Sequence, residues 1–166
     1  KKSLGQNFLI DKNILEKIIN ITTIENKIVL EIGPGTGNLT SHILKQNPKK
    51  LFVIEKDNEL AINLKNKFDN SLTIINDDVL KIDETDLSKE KVTVFGNLPY
   101  NISTEILTKW ITNLKDNFWF DYLILMFQKE VADRILAESN TKNYGRLSIL
   151  SNWRMKIHKI FSCLNC

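Results

Sequence analysis

Cysteine is nearly missing from this chain of 166 residues: Cys163 and Cys166 stand alone in its last four positions. A pair so placed cannot staple the fold, and with no second ligand pair its Cys-x-x-Cys spacing does not make a zinc centre. The preferred reading is two free thiols in a reducing cytosol, and no metal is expected. Long apolar runs are missing too; none approaches the roughly 20 residues that a membrane span needs. The opening KKSLGQNFLI carries two lysines but neither an apolar stretch of useful length nor a small-residue cleavage site, so no signal peptide and no membrane partner are expected. Acidic residues stop at Glu138, whereas Lys142, Arg146, Arg154, Lys156 and Lys159 all follow it. A purely basic stretch favours a polyanion through counterion release, which the net charge of +3 would not suggest by itself.

What remains is an ordinary globular composition, 42% hydrophobic and 26% charged. A chain of this length typically buries about 70% of its unfolded surface, enough for one main domain with a substantial core. No internal repeat stands out. Apolar spacing predicts a helix over 11–20 with Asp11 as N-cap, then a strand at 27–32. A glycine-rich turn leads into a helix over 38–46, and a strand follows at 51–55. The helix predicted over 58–68 has Leu60, Ile62, Leu64 and Phe68 on or near its buried face. Further strands are expected at 72–76, 92–97 and 122–128, with helices over 103–114 and 129–138. Strands apolar on both faces and separated by helices belong to a parallel sheet covered on two sides. The expected fold is therefore α/β and doubly wound, with ligands bound outside the carboxyl ends of the strands where the winding reverses.

Those ends carry unusual residues. The first strand runs into Gly33-Pro34-Gly35-Thr36-Gly37. One glycine would suffice for a tight turn; three suggest a backbone that approaches a ligand. A dinucleotide fingerprint would need its third glycine at Asn38 or Thr40, so the spacing fits Gly-x-Gly-x-Gly instead. The second strand ends on Glu55, about 20 residues beyond the glycines, where a carboxylate can accept from both ribose hydroxyls. The third ends on Asn76-Asp77-Asp78-Val79, an acid suited to an adenine amine beside an apolar side chain suited to the ring. The fourth ends on Asn97-Leu98-Pro99-Tyr100. Pro99 donates no hydrogen bond and biases Leu98 away from helical geometry, which leaves the Leu98 carbonyl free to face the cleft. Together with the Asn97 amide it supplies two acceptors, and Tyr100 a stacking face, for a planar group that carries an NH2.

With these residues in view the chain resembles the ribosomal RNA adenine N6-dimethyltransferases of bacteria and their eukaryotic and mitochondrial relatives. The resemblance rests on KKSLGQNFL (1–9), EIGPGTGNLT (31–40), VIEKD (53–57), NDDVL (76–80), FGNLPYNIST (95–104), QKEVADRI (128–135) and YGRLSIL (144–150). The intact Asn-Leu-Pro-Tyr-Asn-Ile and the Gly-Gln-Asn-Phe-Leu opening favour the small-subunit enzymes over a cousin family of antibiotic-resistance enzymes that modify 23S RNA. The resemblance implies a Rossmann-like class I methyltransferase with S-adenosylmethionine as cofactor and small-subunit rRNA within a ribosomal particle as partner. It implies that Asn7 and Leu9 close over the cofactor, that Gly33 and Gly35 lie under its methionine part, and that Glu55 holds the ribose. Asp78 would take the adenine amine and Asn97 would sit between cofactor and substrate, with Asn97, Leu98, Pro99 and Tyr100 as the catalytic group.

The same resemblance divides the chain into a segment at 1–26 that closes over the cofactor and a methyltransferase domain at 27–166. Relatives usually continue through a Phe-x-Pro-x-Pro-Lys-Val stretch, a last strand and a small helical domain, which this sequence does not contain, so a sheet short of an edge is expected. Two other functions compete: an RNA-binding ribosome assembly factor with little turnover, and a nucleotide-dependent oxidoreductase, which the glycine spacing disfavours. A cytoplasmic monomer is expected.

Overall fold

Each of the five predicted apolar runs forms a strand, and side chains alternate between two cores because successive residues of a strand face opposite ways. The computed structural model describes residues 11–114 and 118–162. Strands β1 (Ile28–Ile32), β2 (Lys50–Ile54), β3 (Thr73–Ile75), β4 (Val92–Asn97) and β5 (Phe120–Met126) form one parallel sheet in the order β3-β2-β1-β4-β5. Ile28, Leu30 and Ile32 of β1 join Phe52, Ile54, Val92 and Val94 on one face, against Ile106 and Trp110 of helix α4 (Ser103–Thr112). Val29 points the other way, with Val53 and Phe95, toward helices α1 (Lys12–Ile19) and α2 (Asn38–Leu44). Helix α3 (Asn58–Phe68) links β2 to β3, and α5 (Lys129–Ile135) and α6 (Arg146–Arg154) pack beside α4 through Leu107, Ile111, Ile135 and Leu147.

The winding reverses at β1, whose neighbours are β2 on one side and β4 on the other. Helix starts follow the expected chemistry: the Asp11 carboxylate accepts from the backbone N–H of Asn13 at 2.9 Å, and Asp57 caps α3 in the same way. Among the described residues no helix is long and apolar enough to cross a membrane.

Four details differ from the sequence reading. Ile62 is 60% exposed; Ala61 and Leu64 make the buried face of α3, since the inward stripe falls on i and i+3. Strand β5 starts at Phe120, before the polar Asp121, because a bulge opposite Val92 and Thr93 lets Asp121 accept from Thr93 Oγ1 at 2.7 Å and Lys27 Nζ at 3.0 Å. Helices α2, α4 and α5 end two to three residues early, at Leu44, Thr112 and Ile135. Helix α6 was no part of the predicted strand-helix series; of its apolar residues, Leu147 and Leu150 pack inward while Ile149 and Trp153 are exposed, which blurs the helical stripe.

Candidate active site

Parallel strands place all their carboxyl ends on one edge of the sheet, and the cleft there is walled by the turns after β1, β2, β3 and β4. The turn after β1 needs each of its three glycines. Gly33, Gly35 and Gly37 have φ values of +64°, +57° and +78°, the left-handed region where a side chain is strained. Gly37 also runs against α3, where a Cβ would lie 2.5 Å from a ring carbon of Phe68. At Gly33 a Cβ would point into the gap between the glycine turn and the Asn97-Pro99 segment, 3.4 Å from the Asn97 carbonyl oxygen. That gap is a cradle with backbone on both sides.

Glu55 is 6% exposed and is gripped by the backbone: Gly35 N–H donates to Oε2 at 3.2 Å and Asp57 N–H to Oε1 at 2.9 Å. Burial raises its pKa against the pull of those N–H groups and of the Lys56 backbone N–H. The strand end is braced further by Asn76, whose amide donates to the Glu55 carbonyl at 2.8 Å. Asp78 accepts from Lys56 Nζ at 2.7 Å and from Leu80 N–H at 3.0 Å, and the Lys56 hydrogen bond leads the interactions that lower its pKa. Lys56, adjacent to Glu55 in sequence, thus pairs with Asp78 across the mouth of the cleft.

Asn97 closes β4 opposite Met126 and is half-buried. Leu98 turns its side chain into the core, Pro99 O accepts from Ile102 N–H at 3.1 Å to close a tight turn, and Tyr100 is half-buried at the cleft. The structure therefore brings Gly33, Gly35, Glu55, Asp78, Asn97, Leu98, Pro99 and Tyr100 to one cleft. Asn7 and Leu9 lie outside the described residues. Among those described, no group of three or more His, Cys, Asp or Glu is placed to hold a metal ion.

Several cleft residues went unassigned in the sequence, among them a buried acid on β1. Glu31, 2% exposed, lies on the α2 side of β1, and Thr40 Oγ1 donates to it at 2.6 Å. Burial, with a smaller contribution from the neighbouring Glu55 charge, raises its pKa to about 7 despite the Thr40 hydrogen bond. The available signal was an acid inside an otherwise apolar strand.

Comparison with known proteins points the same way as the geometry. The family model "Ribosomal RNA adenine dimethylase" matches residues 1–162. A Pelagibacter ubique protein named Ribosomal RNA small subunit methyltransferase A is 68% identical over 160 residues, covering 96% of this chain and 61% of the relative; one of the same name from Wolbachia sp. subsp. Drosophila simulans is 48% identical, covering 97% and 60%. This chain thus spans about 60% of the length of the curated relatives it matches. Among solved structures, a dimethyladenosine transferase from Plasmodium falciparum superposes with a TM-score of 0.70 at 35% identity, over 87% of this chain and 51% of that one. The 23S rRNA methyltransferase ErmE gives 0.64 at 25% identity, over 87% and 55%.

Proposed function

Because the chain belongs to the ribosomal RNA adenine dimethylase family, we propose that its cleft binds S-adenosylmethionine and transfers methyl groups to N6 of two adjacent adenosines near the 3′ end of small-subunit rRNA during ribosome biogenesis. The observation that carries this function is the convergence of Glu55, Asp78 and Asn97, from three different strand ends, on the cleft beside the glycine turn. The cofactor fits the residues present. The cradle that a Gly33 Cβ would fill suits its methionine part, and the backbone-gripped Glu55 carboxylate suits the ribose hydroxyls. Asp78 suits the adenine amine, with Val79 on the ring. Asn7 and Leu9, outside the described residues, are assigned to the cofactor by the family resemblance alone.

When bound, S-adenosylmethionine supplies a methyl group on a positively charged sulfur. The residues of this chain deal with the poor nucleophile. Adenine N6 has a lone pair delocalised into its ring; with the Asn97 side-chain oxygen and the Leu98 carbonyl accepting its hydrogens, two in the first transfer and the one that remains in the second, the nitrogen is drawn toward tetrahedral geometry and its lone pair is aimed at the methyl carbon. Pro99 keeps the Leu98 carbonyl out of helical geometry. After alkylation the amine sheds a proton to water, so the protein needs no strong base. Tyr100 stacks on the target base, a contact worth on the order of 1–3 kcal/mol, which offsets most of the few kcal/mol needed to unstack it. A monomer working in the cytoplasm, where bacterial subunits assemble, completes the proposal.

Calorimetry tests its first half: S-adenosylmethionine binds and NAD does not. Labelled methyl transfer to unmethylated small-subunit particles tests its second half.

A further inference from the structure

The connection from β3 to β4 is made without an α-helix. It runs through two 3-10 turns, Val79–Lys81 and Glu84–Asp86, and so lacks the continuous hydrogen-bond ladder of a helical crossover. The carbonyls of Val79 and Ile82 need donors from elsewhere. Lys109, from the last turn of α4, provides them: its Nζ donates to Val79 O at 2.8 Å, to Ile82 O, and to Glu84 Oε1 at 2.8 Å and Oε2 at 3.0 Å. An ammonium has three N–H groups, and one carboxylate with two carbonyls engages all of them. Glu84 is buried and accepts also from Trp110 Nε1 at 2.8 Å, so both ends of the ion pair are fixed by the core.

The same loop begins with the adenine wall of the cleft. Asp78 caps the first 3-10 turn, and Val79, buried in the main core, is the residue whose carbonyl Lys109 holds. At its own N-terminus α4 continues from the Asn97-Tyr100 segment, where Ser103 Oγ donates to the Tyr100 carbonyl at 3.4 Å. One helix thus carries the reaction segment at one end and, through Lys109, grips the adenine loop further along.

We infer that Lys109, buttressed by Glu84 and Trp110, is a positioning residue that, by holding the Val79 carbonyl, sets the Asp78 carboxylate in place for the cofactor's adenine amine. It touches no ligand and acts through the loop. The inference rests on the proposed cofactor site, and its signature is selectivity for the adenine amine.

The test measures dissociation constants by calorimetry for S-adenosylhomocysteine and for its inosine analogue, in which a carbonyl replaces the amine, with melting temperatures in parallel. The unsubstituted chain prefers the adenine compound. Lys109→Met is expected to weaken S-adenosylhomocysteine at least tenfold and the inosine analogue less than about twofold, so that the preference shrinks. Glu84→Gln, which keeps an acceptor for Trp110, shifts the preference the same way by a smaller factor and carries the test where Lys109→Met does not fold. Equal weakening of both ligands, with the preference intact, overturns the inference and leaves Lys109 a stabilising residue only. An unsubstituted chain that binds both ligands equally removes Asp78 from the adenine amine, and the inference with it; one that binds neither overturns the cofactor site itself.

Discussion

Thr40 Oγ1 donates a 2.6 Å hydrogen bond to Glu31 Oε2 beneath the glycine turn, where both side chains are closed off from solvent. The acid so held has a pKa of about 7 against 4.5 for an ordinary glutamate. Between those two values the folded chain keeps a proton that the unfolded chain releases, so stability falls as pH rises through that window, by roughly 3 kcal/mol in total. Glu31→Gln keeps the acceptor for Thr40 and cannot ionise. Its melting temperature should exceed that of the unsubstituted chain at pH 8, and the gain should nearly vanish by pH 4.5. A gain that does not change with pH contradicts the burial of a titrating acid here.

Gly37 has no room for a side chain. A Cβ would stand 2.5 Å from Phe68 and 2.9 Å from Leu64, at a φ of +78°. Gly37→Ala should cost at least about 2 kcal/mol, a fall of roughly 4–8 °C in Tm for a domain of this size. Gly145, with extended backbone and nothing among the described residues within 4 Å of its would-be Cβ, is the control: as the N-cap of α6 it should lose no more than about 1 kcal/mol in Gly145→Ala. Equal effects at the two positions would contradict the turn geometry.

Two buried serines one turn apart on α6 should respond oppositely to loss of their hydroxyls. Ser148 Oγ donates to Arg134 O at 2.6 Å and accepts from Gly145 N–H at 3.2 Å, whereas Ser151 Oγ has no partner among the described residues. Denaturant unfolding of Ser148→Ala should show a loss of about 1–2 kcal/mol, and Ser151→Ala a neutral change or a gain of about 1 kcal/mol. A loss at Ser151 as large as that at Ser148 would mean that its hydroxyl is satisfied.

The strands and the cleft were legible in the sequence because both follow from local rules. Apolar runs in a parallel sheet declare themselves, and parallel pairing carries the ends of β1, β2, β3 and β4 to one edge, so Glu55, Asp78 and Asn97 meet without any detailed packing being known. What stayed hidden depends on contacts between distant residues. Lys109 reads as an ordinary cation on an amphipathic helix; only packing shows that it meets Glu84, 25 residues earlier. Asp121 made the start of β5 look polar because its partner Thr93 is on another strand. Glu31 sits in a motif that drew attention to its glycines, and its chemistry is set by α2 closing over it.

In the proposed reaction Asn97 presents an adenine amine to the methyl group, and one comparison decides whether it does. The unsubstituted chain and Asn97→Ala are each given labelled S-adenosylmethionine and unmethylated small-subunit particles, and the RNA is digested and examined for N6,N6-dimethyladenosine. The expected result is dimethyladenosine from the unsubstituted chain and none from Asn97→Ala, whose melting temperature is unchanged. Full transfer by Asn97→Ala would contradict the mechanism. Absence of transfer by an unsubstituted chain that binds both cofactor and particle would contradict the enzymatic function and favour an assembly factor that binds RNA without turnover.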